Sequence, residues 1–243
     1  MIKSLTEHPK STPRRMALFS TLALAALIGG ALTLPGNASF AGEGVAIPAP
    51  SIDEAATSGT QTAIFAGGCF WGVQGVFQHV DGVISATSGY IGGSGSNPSY
   101  DMVSTGTTGH AEAVKIVYDP SKVTYGHLLQ IFFSVVADPT TLNYQGPDHG
   151  TQYRSAIFPT NAAQSKIAKA YITDLGAAKV FGGAIVTKIE PQAKFFPAED
   201  YHQDFLTLNP SYPYIVVNDL PKVADLKKLF PSDYKTKPVL VMN

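Results

Sequence analysis

The chain has 243 residues, 44% of them hydrophobic and 14% charged, a profile that suits a globular core and excludes a disordered or fibrous chain. Lys plus Arg number 17 against 18 Asp plus Glu, so no basic excess points to nucleic acid. A single cysteine, Cys69, excludes an intramolecular disulfide and any multi-cysteine zinc site.

At the N-terminus, Lys10, Arg14 and Arg15 precede an uncharged run over residues 16–34, "MALFSTLALAALIGGALTL", which Pro35 and Gly36 break. A positive stretch, an apolar run and small residues after it read as a secretory signal over residues 1–41. Cleavage is expected after Ala41, with Ala38 as the alternative. The run approaches spanning length, so an uncleaved anchor is the competing reading. The Arg14-Arg15 pair lacks the lysine of a twin-arginine signal. The expected location is outside the cytoplasm, in the periplasm. Residues 42–59 are small, acidic and proline-containing and read as a flexible linker.

From Thr60 the periodicities change quickly. "QTAIFAGG" is a short apolar strand ending in glycines, and "CFWGVQGVFQHV" places Phe70, Val73, Val76 and Phe77 at helical spacing. "GVISATSGYIGG" is a strand entering a glycine-rich loop, and "HAEAVKIVYDP" alternates until Asp119-Pro120 stops it. "TYGHLLQIFFSVV" is an apolar helix and "TQYRSAIFP" a strand. This order, β-α-β-β-α-β, predicts an α+β fold of the split-βαβ or ferredoxin-like kind, helices packed on an antiparallel sheet. A helix at "NAAQSKIAKAYITDL", a strand at "AIVTKIEP" and a helix at "AEDYHQDFL" follow as C-terminal additions. The expected domain spans residues 60–213, and residues 214–243 form a Pro- and Tyr-containing tail without cysteine.

Free cysteine is among the most buried residue types, so composition alone favours an inert Cys69. Its position argues otherwise. A strand ending in Gly67-Gly68 and feeding a helix puts the thiol at a helix N-terminus, where backbone amides and the helix dipole favour a thiolate. Adjacent Phe70 and Trp71 cannot both face the core of one helix, so one ring is expected at the mouth of a site. Strand parity in "HAEAVKIVY" puts Glu112 on the face of Val114, Ile116 and Tyr118. A carboxyl there is desolvated and its pKa rises, which suits a general acid near neutral pH. Asp148, His149 and Tyr153 sit in the turn-rich "NYQGPDHGTQYRS", able to hydrogen-bond a polar substrate.

"GGCFWG", "TSGYIGG…NPSYDMV", "TGHAEAV", "QGPDHGTQYRSAIF" and "AEDYHQDF" occur in order, and together they resemble the peptide methionine sulfoxide reductases of type A. The resemblance covers residues 60–213 and implies a two-layer α/β sandwich of the ferredoxin-like kind. It implies that Cys69 attacks the sulfoxide sulfur, that Glu112 protonates the oxygen, and that Tyr100 and Tyr153 hydrogen-bond it. Phe70 and Trp71 would enclose the S-methyl group, and Asp148 would hold the substrate backbone or a water. The expected reaction converts methionine-S-sulfoxide, free or in oxidised proteins, to methionine and leaves Cys69 as a sulfenic acid. No cofactor, metal or nucleic acid is implied, and the expected unit is a monomer. Many members carry resolving cysteines near the C-terminus, whereas this tail has none. An external thiol, from a thioredoxin-like protein, glutaredoxin or glutathione, is then required.

Other chemistries fit less of the pattern. A cysteine hydrolase would need a histidine base, for which His110, His149 and His202 are candidates. A zinc deaminase is suggested only by "HAE", and one cysteine cannot complete its metal site. "GYIGGSG" lacks the Lys-Ser/Thr of a phosphate loop. A sulfoxide-binding module with a structural Cys69 would show an unreactive thiol.

Overall fold

The computed structural model describes residues 44–242. The secretory signal expected over residues 1–41 lies outside the described residues. Among the described residues no helix is long and apolar enough to cross a membrane.

The apolar "AIFAG" buries β1 (Gln61–Gly67) as a central strand with partners on both edges. It is followed by α1 (Phe70–Gln78), β2 (Val83–Ile91), the single turn α2 (Tyr100–Val103) and β3 (Ala111–Tyr118). Next come α3 (Tyr125–Ile131), which runs into a π-turn at Phe132–Val136, and the hairpin β4 (Tyr144–Gln145) with β5 (Asp148–His149). A 3-10 turn at Thr151–Tyr153 leads into β6 (Ser155–Ile157), α4 (Ala162–Ala178), β7 (Lys188–Ile189) and β8 (Phe196–Pro197). The chain closes with α5 (Phe205–Leu208), a π-turn at Ile215–Asp219 and α6 (Leu220–Leu229).

Six strands form one sheet in the order β7-β6-β1-β3-β2-β8, antiparallel except for β6 with β7. The architecture is α+β, a sheet with helices packed on it. Phe65, Val114, Ile116 and Tyr118 point to the face covered by α1, α3, α4 and α6, where Phe77, Leu128, Tyr171 and Leu226 complete the main core. The opposite face is thinner: Ile64, Ala66, Ala111, Ala113 and Phe158 pack there with Phe195. Period-2 alternation along β3 therefore assigns Glu112 to the helix side.

Three expectations need correction. Residues 44–54 are not a free linker but a strap tied to the domain. Ile47 is buried, Gln130 donates to its carbonyl at 2.9 Å, and Tyr171 donates to the Pro48 carbonyl at 2.6 Å. Asp53 accepts from the Gly126 N–H at 2.7 Å, and Glu54 accepts from the Tyr125 N–H at 2.8 Å and the Tyr118 hydroxyl at 2.7 Å. The two acids thus satisfy first-turn amides of α3, where a helix has no internal partners. Secondly, "AEDYHQDFL" is not one helix. A 3-10 turn at Asp200–His202 and α5 are separated by Asp204 at φ 57°. The Asp204 carboxylate accepts from Gln78 and from the backbone of Val241 and Met242, and Gln203 bonds Ser88, so tertiary hydrogen bonds outweigh helical propensity here. Thirdly, the segment from residue 214 onward is no appendage: Ile215 and Leu226 are fully buried in the main core.

Candidate active site

β1 ends at Gly67 and the chain must turn at once into α1. Gly68 makes that turn at φ +93°, and a Cβ there would stand 2.6 Å from Gln145 Cβ. Both conditions require glycine. Cys69 follows as the N-cap residue of α1, partly exposed. The Phe65–Val114 pairing of β1 with β3 brings Glu112, two residues on, alongside this turn. There the Phe70 N–H donates to Glu112 Oε2 at 3.0 Å. One of the four amides that a helix N-terminus leaves unpaired is thereby used to hold the carboxyl beside Cys69.

Electrostatics follow from this packing. Glu112 is 2% exposed. Burial pushes its carboxyl up to about 8, against the pull of the Phe70 N–H, and Asp148 and Asp219 add to the rise. At neutral pH it is a protonated acid. Cys69 departs from expectation: desolvation pushes its thiol well above the ordinary value, with Glu112 and Asp219 adding to the shift. The Trp71 N–H acts in the opposite direction and does not prevail. A helix terminus contributes about 0.3–1 kcal/mol to an anion, whereas desolvation and like charges move pKa values by several units. The resting residue is a thiol, not the thiolate that its helix position alone suggests.

Aromatic rings build the rest. Phe70 is buried with its ring 5.8 Å from Tyr90 and 5.0 Å from His202. Trp71 takes the outer side, stacked on Phe205 at 3.9 Å and edge-on to Tyr214 at 5.9 Å. Its Nε1–H donates to His202 Nδ1 at 3.1 Å. That bond makes Nδ1 an acceptor and places the proton of a neutral ring on Nε2. Tyr90 sits directly across from Glu112 on β2. Glu199 ties the group together, accepting from the Tyr90 hydroxyl at 2.8 Å and from the Tyr100 N–H at 2.9 Å. Tyr100 and Tyr153 both have raised pKa values, from burial first and then from the charge of Glu112, with Cys69 and Asp148 contributing to each. Both phenols therefore remain donors near the thiol and the acid.

The structure brings all seven sequence-selected residues, Cys69, Phe70, Trp71, Tyr100, Glu112, Asp148 and Tyr153, to one neighbourhood. It adds four. Tyr214 donates its hydroxyl to Asp148 Oδ2 and forms an edge against Trp71. Asp219, fully buried, pairs with Lys222 at 3.3 Å and lies against the first turn of α1, where a Cβ on Gly72 would stand 2.1 Å from its Oδ1. His202 completes the aromatic wall, and Glu199 braces it through the Tyr90 hydroxyl and the Tyr100 N–H. The tyrosines of "NPSYPY" were the available signal for Tyr214; nothing local marks Asp219. A cavity of about 410 Å³ adjoins Cys69, with Asp148 and Tyr214 in its lining. Among the described residues no group of His, Cys, Asp or Glu is arranged to hold a metal ion.

The family model for peptide methionine sulfoxide reductase matches residues 61–234. The chain belongs to this family. The peptide methionine sulfoxide reductase MsrA 2 of Mesorhizobium japonicum is 65% identical over 79% of this chain and 98% of its own length. A namesake from Synechocystis is 47% identical over 79% of this chain and 91% of its own. Among solved structures, methionine sulfoxide reductase A of Corynebacterium diphtheriae superposes with a TM-score of 0.55 at 33% identity, covering 75% of this chain and 94% of that one. Reduced Mxr1 from Saccharomyces cerevisiae gives 0.56 at 34% identity, covering 63% and 87%.

Proposed function

We propose that this peptide-methionine (S)-S-oxide reductase works through Cys69 as nucleophile and Glu112 as general acid, with oxidised proteins and free methionine sulfoxide as substrates. The observation that carries the assignment is the Phe70 N–H bond to Glu112, which fixes a carboxyl titrating near 8 next to the thiol. A sulfoxide oxygen is a poor leaving group until protonated, and a neutral buried carboxyl can supply the proton at pH 7. Tyr100 and Tyr153 hydrogen-bond the same oxygen. Phe70 and Trp71 pack on the S-methyl group, and Asp148 holds the substrate backbone or a water.

Protonated Glu112 no longer opposes an anion on Cys69, so the proton that activates the oxygen also eases loss of the thiol proton. The sulfur of Cys69 attacks the sulfoxide sulfur while Glu112 protonates the oxygen. The hydroxyl then passes to Sγ as the substrate S–O bond and the transient S–S bond break, methionine departs, and the thiol proton restores the Glu112 carboxyl. Cys69 keeps the oxygen as a sulfenic acid. No second cysteine exists to resolve it, so an external thiol, in a thioredoxin-like protein, glutaredoxin or glutathione, completes the cycle. No cofactor enters this scheme, and the working unit is a monomer.

The central strand order β6-β1-β3-β2 supports classing the domain as ferredoxin-like. Lys10, Arg14, Arg15 and the uncharged run that follows support export to the periplasm. Methionine formation from the separate sulfoxide epimers, with dithiothreitol as donor, tests the function. Wild type should consume the S epimer and Cys69→Ser should be inactive but folded. Substantial turnover by Cys69→Ser would overturn the nucleophile assignment.

A further inference from the structure

Phe70, Trp71, Tyr100, Glu112 and Tyr153 do not line the cavity beside Cys69. Of the residues assigned to the sulfoxide only Cys69 and Asp148 line it, so the cavity reaches Cys69 from a side that meets the sulfoxide machinery at Asp148 alone. At about 410 Å³ it has the size of a small-molecule site. The C-terminal segment forms one wall with Lys222 and Asp225, and the loop from Asp138 to Asp148 forms another.

Its charge is one-sided. Lys222 is the only Lys or Arg in the lining, and its ammonium is engaged by buried Asp219. Asp138, Asp148 and Asp225 have no ion-pair partner among the described residues. They accept instead from neutral donors: Thr140, the Tyr214 hydroxyl and the Gly44 N–H. The lining thus presents three carboxylates around a passage to one sulfur.

The reaction proposed above, on which this step rests, leaves that sulfur as a sulfenic acid in a chain with no other thiol. We infer that this cavity is where the reducing thiol reaches Cys69, and that its carboxylates select a neutral or cationic thiol over an anionic one such as glutathione. The first thiol sulfur bonds to Cys69 Sγ as the S–O bond breaks, and its proton leaves with the hydroxyl as water. A second thiol attacks the mixed disulfide at the sulfur of the first, returning Cys69 as a thiol and releasing the oxidised pair. Cys69 gains two electrons, and two thiols become one disulfide.

The test loads Cys69 as sulfenic acid with one equivalent of hydrogen peroxide, so that its outcome does not depend on the sulfoxide step. Loss of the sulfenic acid, read by dimedone trapping, is followed with cysteamine, 2-mercaptoethanol, mercaptoethanesulfonate and glutathione. Rates are normalised to the attack of each thiolate on a small disulfide. A cavity field of this sign predicts that cysteamine exceeds the sulfonate roughly tenfold or more, with 2-mercaptoethanol between them and glutathione beside the sulfonate. The ratio should shrink in 1 M salt. It should also shrink several-fold in Asp138→Asn/Asp225→Asn, whose amide oxygens still accept from Thr140 and Gly44. The peroxide-independent burst of methionine in that variant should match wild type. Equal normalised rates for the four thiols, or a ratio untouched by the double substitution, would overturn the inference.

Discussion

Replacing Glu112 by Gln keeps the side-chain volume and an oxygen for the Phe70 N–H, and removes only the titrating proton. Two separable effects follow. A positioned general acid contributes about 10²–10⁴-fold, so the sulfoxide step should slow by at least roughly a hundredfold. Stability should respond to pH in a specific sense. Glu112 titrates near 8 in the folded protein against an ordinary 4.5. Between those values the folded protein holds a proton that the unfolded chain has released, so wild-type stability falls as pH rises through the window and levels off above it. The slope is about 1.4 kcal/mol per pH unit. Glu112→Gln lacks this contribution, so between pH 5 and pH 7 the stability difference should move in favour of the variant by roughly 2–3 kcal/mol. Urea unfolding at the two pH values and rapid-quench methionine formation provide the assays. Parallel pH dependences with an unchanged single-turnover rate would refute both the burial argument and the acid role.

Asp219→Asn keeps an acceptor for Lys222 while removing a charge that raises the Cys69 pKa. Alkylation of Cys69 by iodoacetamide at pH 7 should be several-fold faster in that variant, since the thiolate is the reactive form; an equal or slower rate would contradict the assigned influence. Gly72→Ala should lose stability despite the better helix propensity of Ala, worth about 1 kcal/mol. Its Cβ would lie 2.1 Å from Asp219 Oδ1 and 2.7 Å from Cγ, and overpacking of this kind costs about 1–3 kcal/mol. Gly176→Ala in α4, where a Cβ meets nothing within 4 Å, should instead gain up to about 1 kcal/mol, both changes being read by thermal unfolding.

Much of the site is written locally in the sequence. Gly67-Gly68 before an amphipathic run announces a turn into a helix with Cys69 at its start, and period-2 parity places Glu112 on the helix side of β3. The residues that set the Cys69 pKa are another matter. Asp219 lies 150 positions away and reaches α1 only because the 214–226 segment packs into the main core. The pull of the α1 terminus on this thiol is therefore outweighed, by burial first and then by charges such as Asp219 that the local sequence does not show. Tyr214 meets Asp148 across 66 positions for the same reason. The strap over residues 44–54 looks like a linker because its anchors are single polar atoms, Asp53 and Glu54 on α3, rather than a periodic apolar face. The break at Asp204 is equally non-local, imposed by Gln78 and the backbone of Val241 and Met242.

If one cysteine carries the sulfoxide step and cannot complete the cycle alone, a single turnover exhausts the protein. Reduced protein mixed with excess methionine-S-sulfoxide, with no added thiol, measures this directly. One equivalent of methionine per chain is expected, with the sulfenic acid trapped on Cys69. Continued turnover without a donor, or a full equivalent of methionine with Cys69 still reduced, would contradict it.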